Sequence, residues 1–463
     1  MQTESTFDIA VFLQNLKFTP FHRRILFLSC VVTFFDGMDF LLMAFTLPYI
    51  RDDMNLTREV MGNVSAAAFL GQMIGSLLGS YIADLIGRRP VILICTVLSA
   101  ILTFVTGFAH TPDLLIVARF VGGLAVGGLL APAWSLNIEA MPKSMRATSV
   151  TIVMLGFSVG SSVAGPITNF LAPGFGWPMV YFFCGAVTML LAVLLYFTLP
   201  ESMRWMAAKG KPAAQIAPLV RRFDPAIDTS RYSAFIVSDE SRVGAKQDPL
   251  AKFIALFRGP LSFITPLIWA AYFCSSFVMF LKSAYSVLFL ETLGISVVNA
   301  SWINSAGGLL GALGGVVLLM FTEKRGPLWI MVAPLIGIPT LLLIGSGLVD
   351  QTSAFVPVIL LGMIMIGAGH SAIISMTSIY YPSTVRATGG GCASFMAKFA
   401  SVAAPLVGAR YFLGDRMAVL DGYLFSAAGL AGAIACIVLL AHFAKRLSGN
   451  SAQPTTITRE QTA

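Results

Sequence analysis

Two aspartates three residues apart stand inside the first long apolar stretch of the chain, in the sequence Asp36-Gly37-Met38-Asp39. On a helix this spacing puts both carboxylates on one face. A charged side chain costs about 2.5–3.5 kcal/mol or more at the centre of a bilayer, so the pair must face a protein interior or a watery cavity. Neighbouring carboxylates in such surroundings exchange protons near neutral pH. We therefore predict a proton-coupling site here; the alternative is a static pairing with a basic residue.

Basic side chains interrupt other apolar stretches. Arg119 lies about a third of the way into the fourth stretch, at a depth comparable to Asp39, which is its expected partner. Making and breaking that contact would couple protonation to movement. A static ion pair is the alternative. Lys398, near the middle of the eleventh stretch, is the first choice for binding a substrate carboxylate, because a buried ammonium group needs an anion.

Further residues are candidates for the substrate site. Lys282 is a second candidate cation, with the alternative that it reaches a helix end. His370 is expected to hydrogen-bond a substrate hydroxyl or to titrate, the alternative being a neutral histidine bonded to a backbone carbonyl. Tyr272 and Trp134 are aromatic residues that would stack on a planar ring.

The elements that must position these residues are membrane spans. The chain has 463 residues, of which 57% are hydrophobic and 11% charged, a composition outside the range of soluble proteins. About 20 apolar residues suffice to cross a bilayer. Twelve such runs are predicted, near 25–50, 61–83, 90–109, 113–138, 147–171, 177–199, 262–290, 300–321, 328–349, 354–380, 388–413 and 419–442.

The spans divide into two halves that repeat. The sequence Pro142-Lys143-Ser144-Met145-Arg146-Ala147-Thr148 returns as Pro382-Ser383-Thr384-Val385-Arg386-Ala387-Thr388, at an offset of 240. Parallel six-span repeats are a transporter design with the substrate site at their interface. The predicted fold is an all-α membrane protein with two pseudo-symmetric six-helix halves. Its segments are an N-terminus (1–24), a first half (25–200), a linker (201–260), a second half (261–446) and a disordered tail (447–463).

The basic residues predict the orientation. Of the 30 lysines and arginines, 23 lie on the side that holds both termini, four on the other side and three within spans. This asymmetry predicts cytoplasmic termini in an inner membrane. It also explains the net charge of +8 without a nucleic-acid partner. The six cysteines lie in apolar runs without CxxC spacing, so neither a disulfide framework nor a metal site is expected. We expect a monomer with no cofactor except the coupling proton.

The loop between the second and third spans suggests a conformational latch. It reads Ser80-Tyr81-Ile82-Ala83-Asp84-Leu85-Ile86-Gly87-Arg88-Arg89-Pro90. A carboxylate, a turn glycine and two arginines can form ion pairs that hold helices in one conformation and release them in another. Simple anchoring by positive charge is the alternative. The predicted cytoplasmic gate comprises Asp84, Gly87, Arg88, Arg89, Arg146, Glu323 and Arg386. Glu139, near the end of span four, is placed beside this gate and grouped with the proton-coupling residues.

In this loop the chain resembles the major facilitator superfamily, whose pattern is G-x-L-A-D-R-x-G-R-R. Asp84, Gly87, Arg88 and Arg89 match, while Ser80 and Leu85 depart from it. With the repeat and the twelve spans, the resemblance covers about residues 20–446. It implies the major facilitator fold and transport by alternating access.

Two further motifs refine the resemblance. Pro200-Glu201-Ser202-Met203-Arg204-Trp205 is similar to a signature shared by sugar porters and aromatic acid:proton symporters. The sugar porters' Gln-Gln-x-x-Gly of span seven and Pro-Glu-Thr after span twelve are missing. The symporters' D-G-x-D of span one is present as Asp36-Gly37-Met38-Asp39. The resemblance implies that the two aspartates and Arg119 are tied to transport.

These observations predict a proton-coupled transporter that imports an organic anion, most simply an aromatic carboxylate. The alternatives are a sugar or polyol porter and, from another class, a membrane-embedded sensor that signals through the linker. An enzyme is not expected, because the chain shows no catalytic triad, metal cluster or phosphate loop.

Overall fold

The predicted membrane architecture is confirmed. The computed structural model describes residues 6–238, 249–325, 327–349, 353–382 and 385–450, apart from the side chains of 249, 252, 323, 327, 378, 387 and 444–450. Within these residues, twelve helices are long and apolar enough to cross a membrane.

The helices follow one another with short connections. The first half contains α1 (Ile9–Asn15), α2 (Pro20–Met54), α3 (Arg58–Ile86), α4 (Arg88–Thr106), α5 (Pro112–Ala140), α6 (Arg146–Phe175) and α7 (Trp177–Thr198). The linker contains α8 (Met203–Ala208), α9 (Ala213–Phe223) and α10 (Pro249–Ala255). The second half contains α11 (Leu261–Thr292), α12 (Val297–Arg325), α13 (Val332–Gly345), α14 (Phe355–Ile374), α15 (Met376–Tyr380), α16 (Arg386–Tyr411) and α17 (Arg416–Asn450).

Local chemistry sets where the first span begins and ends. Helix α2 starts at Pro20, five residues before the predicted boundary, because Thr19 and His22 form a capping box. In this box the Thr19 backbone N–H donates to His22 Nδ1 at 3.0 Å. At the other end Asn55 adopts a left-handed conformation, with φ of 52°, and stops the helix.

Two spans of the second half differ from the prediction. The tenth, expected to be continuous over 354–380, is divided into α14 and α15 at Ser375. The Ser375 hydroxyl donates to the Ala372 carbonyl at 2.7 Å, a local bond that competes with the regular helical pattern. The ninth span begins as a 3-10 turn, Pro327–Met331, before α13.

Glycines bring pairs of helices into backbone contact in the first half. A Cβ atom at Gly75 of α3 would lie 2.1 Å from the Leu124 carbonyl oxygen of α5. A Cβ at Gly160 of α6 would lie 1.8 Å from the Phe34 carbonyl oxygen of α2. These distances leave no room for a side chain, so small residues permit this packing.

The second half repeats features of the first. Gly311 and Gly315 of α12, which face α14, stand 240 residues after Gly71 and Gly75. Arg146 Nε donates to the Met141 carbonyl oxygen at 3.3 Å, and Arg386 Nε donates to the Tyr381 carbonyl oxygen at 3.1 Å. Both arginines therefore bond a carbonyl five residues earlier, as the sequence repeat implies.

The halves are joined at the end of the bundle opposite the termini. Arg51 of α2 and Glu291 of α11 form a bidentate ion pair, with N–O distances of 3.0 and 2.8 Å. Nearby, Asn169 Nδ2 of α6 donates to the Val298 carbonyl oxygen of α12 at 2.9 Å. These contacts hold the two halves together at this end.

On the termini side, the N-terminus and the linker fold together, which the sequence did not predict. Strand β1 (Thr6–Asp8) pairs in parallel with β2 (Ala234–Ile236). With α1, α8 and α9 they form an apolar cluster on the ends of α2, α5 and α6. Helix α17 continues to Asn450, and residues 451–463 of the expected tail lie outside the described residues, as does linker segment 239–248.

We predict that Gly160→Ala lowers the apparent melting temperature of the purified protein, because overpacking typically costs about 1–3 kcal/mol. Gly174→Ala on the same helix is the control, since nothing lies within 4 Å of its added Cβ. Thermal unfolding in detergent compares the two. Equal melting temperatures would contradict the importance of the α2–α6 contact.

Candidate functional site

Asp39 and Arg119 lie together inside the first half. Arg119 Nη2 of α5 is 3.7 Å from Asp39 Oδ1 of α2, and both side chains are buried. Thr103 of α4 donates to the same Asp39 oxygen at 2.7 Å. Asp39, the expected partner of Arg119, is therefore within ion-pair distance. The Thr103 hydroxyl also holds its carboxylate in place.

An aromatic ring and hydroxyls complete the surroundings of Arg119. Its guanidinium carbon lies 5.1 Å from the centre of the Tyr181 ring on α7, a cation–π distance. Thr106 accepts a hydrogen bond from Arg119 Nη2 at 3.3 Å. The Tyr181 hydroxyl is 2.9 Å from the Thr46 hydroxyl. Four helices of the first half thus converge on one buried ion pair.

A small cavity of about 20 Å³ adjoins this ion pair, between α2, α3, α5 and α11. This volume has room for one or two water molecules. Because Asp39 and Arg119 line it, water there could exchange a proton with the carboxylate. Its remaining lining residues are Phe40, Met43, Ala44, Ser65, Ala68, Phe69, Gln72, Gly123, Ser283 and Ala284.

Asp36 is buried within electrostatic range of both Asp39 and a lysine of the other half. It is 5% exposed, and its Oδ1 atom has no hydrogen-bond partner among the described residues. Lys398 of α16 lies close enough to interact with it electrostatically. The two aspartates therefore have different partners: Asp39 pairs within its own half, and Asp36 interacts with a lysine of the opposite half.

Three phenylalanines bridge the halves beside the cavity. The Phe280 ring of α11 lies 5.2 Å from the Phe69 ring and 6.1 Å from the Phe40 ring. The Phe40 and Phe69 ring centres are 5.6 Å apart. Aromatic pairs prefer edge-to-face or offset packing at such distances, so this cluster offers ring surfaces next to the buried charges.

Several predicted substrate residues lie elsewhere. Lys282 lines a separate cavity inside the second half. His370 Nδ1 lies 3.1 Å from the Ser275 hydroxyl, a side-chain partner and not the backbone carbonyl considered above. Both residues therefore contact groups of the second half, and neither lines the Asp39 cavity.

The two predicted stacking residues do not line the Asp39 cavity. Trp134 packs against the apolar cluster formed by the N-terminus and linker. It stands 15 positions after Arg119, about 22 Å along the helix. Tyr272 donates its hydroxyl hydrogen to the Ile374 carbonyl oxygen, at the break between α14 and α15. In this conformation neither residue adjoins the buried charges, and stacking of either one on a substrate ring stays a prediction.

Glu139 also lies far from the aspartates. It is 20 positions after Arg119, about 30 Å along α5, so it does not share their proton site. It instead belongs to a group on the termini side that we call the Arg88 cluster: Asp84, Arg88, Arg89, Glu139, Glu201 and Ser202. Arg88 Nη2 contacts Glu139 at 2.9 Å and Asp84 at 3.0 Å. Ser202 donates to the other Glu139 oxygen.

The Arg88 cluster connects helices of one half. Arg89 donates to the Leu199 and Tyr196 carbonyl oxygens of the α7 end, at 2.8 and 2.7 Å. The predicted ion pairs are present, linking the α3–α4 loop to α5 and α7. Opening of this latch stays a prediction. The corresponding side chain in the second half, Glu323, lies outside the described residues.

Glu201 caps helix α4 from a distant part of the chain. Its carboxylate accepts hydrogen bonds from the backbone N–H groups of Arg88 and Arg89, at 3.1 and 3.2 Å. These groups need an acceptor because Gly87, at the cap position, has no side chain. A Cβ at Gly87 would lie 2.3 Å from Glu201 Oε2, and its φ is +112°. Glycine is therefore required by both the turn and the close approach.

Sequence reasoning missed several of these contacts. Glu201 and Ser202 served only as part of a family signature, and Arg51, Glu291, Thr103 and Tyr181 were not singled out. A usable signal existed for the Arg51–Glu291 pair, because these two opposite charges stand one repeat length, 240 residues, apart. Among the described residues, no group of three histidine, cysteine or acidic side chains is placed to hold a metal.

Comparison with known proteins identifies the family of this chain. Residues 29–405 match the sequence model of the Major Facilitator Superfamily. The chain belongs to this superfamily. The superfamily resemblance read from the loop motif is thereby confirmed, and this is a transporter and not an enzyme.

Relatives with aromatic acid names cover almost the whole chain. The gallate transporter of Pseudomonas putida is 28% identical over 452 residues, which cover 97% of this chain and 98% of the relative. The 4-hydroxybenzoate transporter PcaK of Pseudomonas aeruginosa is 27% identical, covering 87% and 89%. A benzoate transport protein of Acinetobacter baylyi is 24% identical, covering 85% and 84%.

Solved structures share the fold. The inward open conformation of the xylose transporter XylE from E. coli superposes with a TM-score of 0.72 at 15% identity, covering 90% of this chain and 95% of that one. An inward-facing bacterial homolog of the human lysosomal transporter Spinster gives 0.66 at 16% identity, covering 92% and 97%. The predicted major facilitator fold is confirmed.

The cap by Glu201 generates a pH prediction. Burial raises the pKa of Glu201, although the N–H groups of Ser202, Arg89 and Arg88 act in the opposite direction. A raised folded-state pKa gives stability that is present below the unfolded value, about 4.5, and is lost as the pH rises through the folded value. The wild type should therefore lose stability as the pH increases from acidic to neutral, whereas the uncharged Glu201→Gln variant should not. We expect the melting temperature of Glu201→Gln minus that of wild type to increase over this pH range.

Thermal unfolding across this pH range measures the difference between the two proteins. Glu59→Gln, at an exposed position in the first turn of α3, is the matched control for the loss of a carboxylate. A difference that does not change with pH would contradict the buried cap.

Proposed function

We propose that this transporter carries an aromatic carboxylate together with protons. The observation that carries the proposal is the interaction of Asp36 with Lys398 across the two halves, beside the Asp39–Arg119 pair. A cation near an ionisable carboxylate can pair either with that carboxylate or with the carboxylate of a substrate. Binding of the proton and binding of the substrate are then linked through this cation.

The coupling proceeds through competition for Lys398. When Asp36 is ionised, Lys398 has a partner. When Asp36 takes up a proton, the lysine is left without an anion, and a substrate carboxylate can replace the one that was lost. Proton binding therefore favours substrate binding, and loss of the proton favours release of the substrate.

The Asp39–Arg119 pair has a second role in this mechanism. It adjoins the water-sized cavity, which gives a proton a path toward the carboxylates. Thr103 and Thr106 offer hydroxyls to the pair in the low-dielectric interior. Because all these groups belong to one half, they keep their arrangement when the halves move relative to each other.

Two features favour an aromatic substrate. The rings of Phe40, Phe69 and Phe280 lie beside the charges and come from both halves. Relatives named for gallate, 4-hydroxybenzoate and benzoate transport align over most of the chain. The cavity of about 20 Å³ is too small for an aromatic ring, so substrate binding requires the halves and the phenylalanine rings to separate.

We further infer that both termini are cytoplasmic and that the protein lies in the inner membrane, from the 23 basic residues on the termini side. The Arg51–Glu291 pair then lies on the outer face, and this conformation is closed to the outside. Protons and substrate enter after that pair separates and leave on the side of the Arg88 cluster.

The proton site is tested by Asp36→Asn and Asp39→Asn. Each should abolish uptake driven by a pH gradient, because an amide cannot take up and release the coupling proton, while the protein still inserts. The measurement is uptake of labelled 4-hydroxybenzoate into reconstituted vesicles. Asp113→Asn, at an exposed position in the first turn of α5, is the matched control and should transport normally.

Normal gradient-driven uptake by both aspartate variants would refute the proton site. Uptake inhibited by hexoses and not by benzoates would favour the sugar porter. Binding without accumulation in vesicles would favour the sensor.

The outer pair is tested by exchanging its charges. Arg51→Glu and Glu291→Arg should each reduce uptake several-fold, because like charges then oppose closure at a half-buried site. The double variant should recover most of the activity. Initial uptake rates of the three variants decide this, and a double variant as slow as the single variants would show that the pair does not control closure.

A further inference from the structure

One intramembrane cation has no acidic partner among the described residues. Arg119 lies within ion-pair distance of Asp39, and Lys398 lies within electrostatic range of Asp36. Lys282 of α11 lies in the interior, and no described carboxylate is close enough to interact with it electrostatically. A buried charge without a counter-charge is strongly unfavourable, so a compensating anion is expected.

Lys282 lines a cavity of about 20 Å³ inside the second half, between α11, α13, α14 and α17. The Ser286 hydroxyl, one helical turn further on, is buried and has no hydrogen-bond partner in the described part of the chain. Tyr423 and Ser426 of α17 add two more hydroxyl-bearing side chains to the lining. The other lining residues are apolar: Leu281, Phe289, Leu341, Ile344, Ile359, Met363 and Ile366.

This cavity is separate from the one beside Asp39. Ser283 and Ala284 of α11 line the Asp39 cavity, whereas Lys282 and Ser286 line the cavity of the second half. On a helix, residues four apart share a face, while the next residue points about 100° away. Lys282 is thus directed into its own half, away from the charges that the proposed transport mechanism uses.

The internal repeat shows what this cavity lacks. Ser286 stands 240 residues after Thr46, and Ile359 stands 240 residues after Arg119. In the first half, the carboxylate of Asp39 and the guanidinium of Arg119 neutralise each other. The second half has Met279 and Ile359 at the corresponding positions, so neither charge of that pair is repeated. Lys282 stands 240 residues after Leu42 and is therefore a cation that the second half adds without a carboxylate to match it.

We propose that the Lys282 cavity binds a small inorganic anion of the size of chloride. A space for one or two water molecules accepts a halide and excludes an aromatic carboxylate. The ammonium group supplies the charge, and the unpartnered Ser286 hydroxyl supplies a hydrogen-bond donor. The surrounding apolar side chains strengthen the attraction by lowering the local dielectric constant. The anion neutralises the second half and is not a transported substrate.

The test is thermal unfolding of the purified protein while sodium chloride is replaced stepwise by sodium gluconate at constant ionic strength. Gluconate cannot fit the cavity. The melting temperature of the wild type should rise saturably with chloride, because a ligand that binds only the folded state stabilises it. Bromide should act in the same way.

Two variants locate the effect. Lys282→Met should lose the chloride-dependent shift, whereas Lys17→Met, which removes an exposed lysine, should keep it. Ser286→Ala is milder and should need a higher chloride concentration for the same shift, so it serves if Lys282→Met does not fold. A wild type with equal melting temperatures in chloride and gluconate would overturn the proposal, as would an undiminished shift in both site variants.

Discussion

The structure depends on how charges are compensated in an interior of low dielectric constant. Asp39 and Arg119 neutralise each other inside the first half, whereas Asp36 interacts with Lys398 of the second half. A contact within one rigid half keeps its geometry when the halves move, and a contact between halves changes. In the proposed mechanism the exchange of a partner between proton and substrate therefore rests on Asp36 and Lys398, while Asp39 takes up and releases a proton beside Arg119 within one half.

Rigid halves are a precondition for that arrangement, and the glycines provide them. The α2–α6 and α3–α5 pairs approach so closely that a single added carbon would meet a backbone oxygen. Packed interfaces of this kind move as units and do not deform gradually. The contacts between the halves lie at one end and in the middle: the Arg51–Glu291 pair, the Phe40–Phe69–Phe280 rings and the Asp36–Lys398 interaction. The Arg88 cluster joins the loop of α3 and α4 to neighbouring helices of one half.

The same fold accommodates other substrates, as the likeness to a xylose transporter shows. Specificity must therefore come from a few side chains in the central region. A lysine beside a titratable aspartate suits an anion, and a group of phenylalanine rings suits a planar apolar body. A sugar would instead require many neutral hydrogen-bond partners. This chemical difference agrees with the aromatic acid names of relatives that align over most of the chain.

The sequence by itself determined the twelve spans, the repeat, the superfamily and the depth at which Asp39 and Arg119 could meet, because apolar length, charge and motif spacing are local properties. Only the tertiary structure decided partners. It brought Asp36 within electrostatic range of Lys398 and directed Lys282 into its own half. The same packing brought Glu201 to the N-terminal end of α4, which begins more than 100 residues earlier in the chain. It also placed Trp134 and Tyr272 in packing contacts. Depth along a helix can be counted from residues, but the direction a side chain faces depends on how helices distant in sequence rotate and pack against one another.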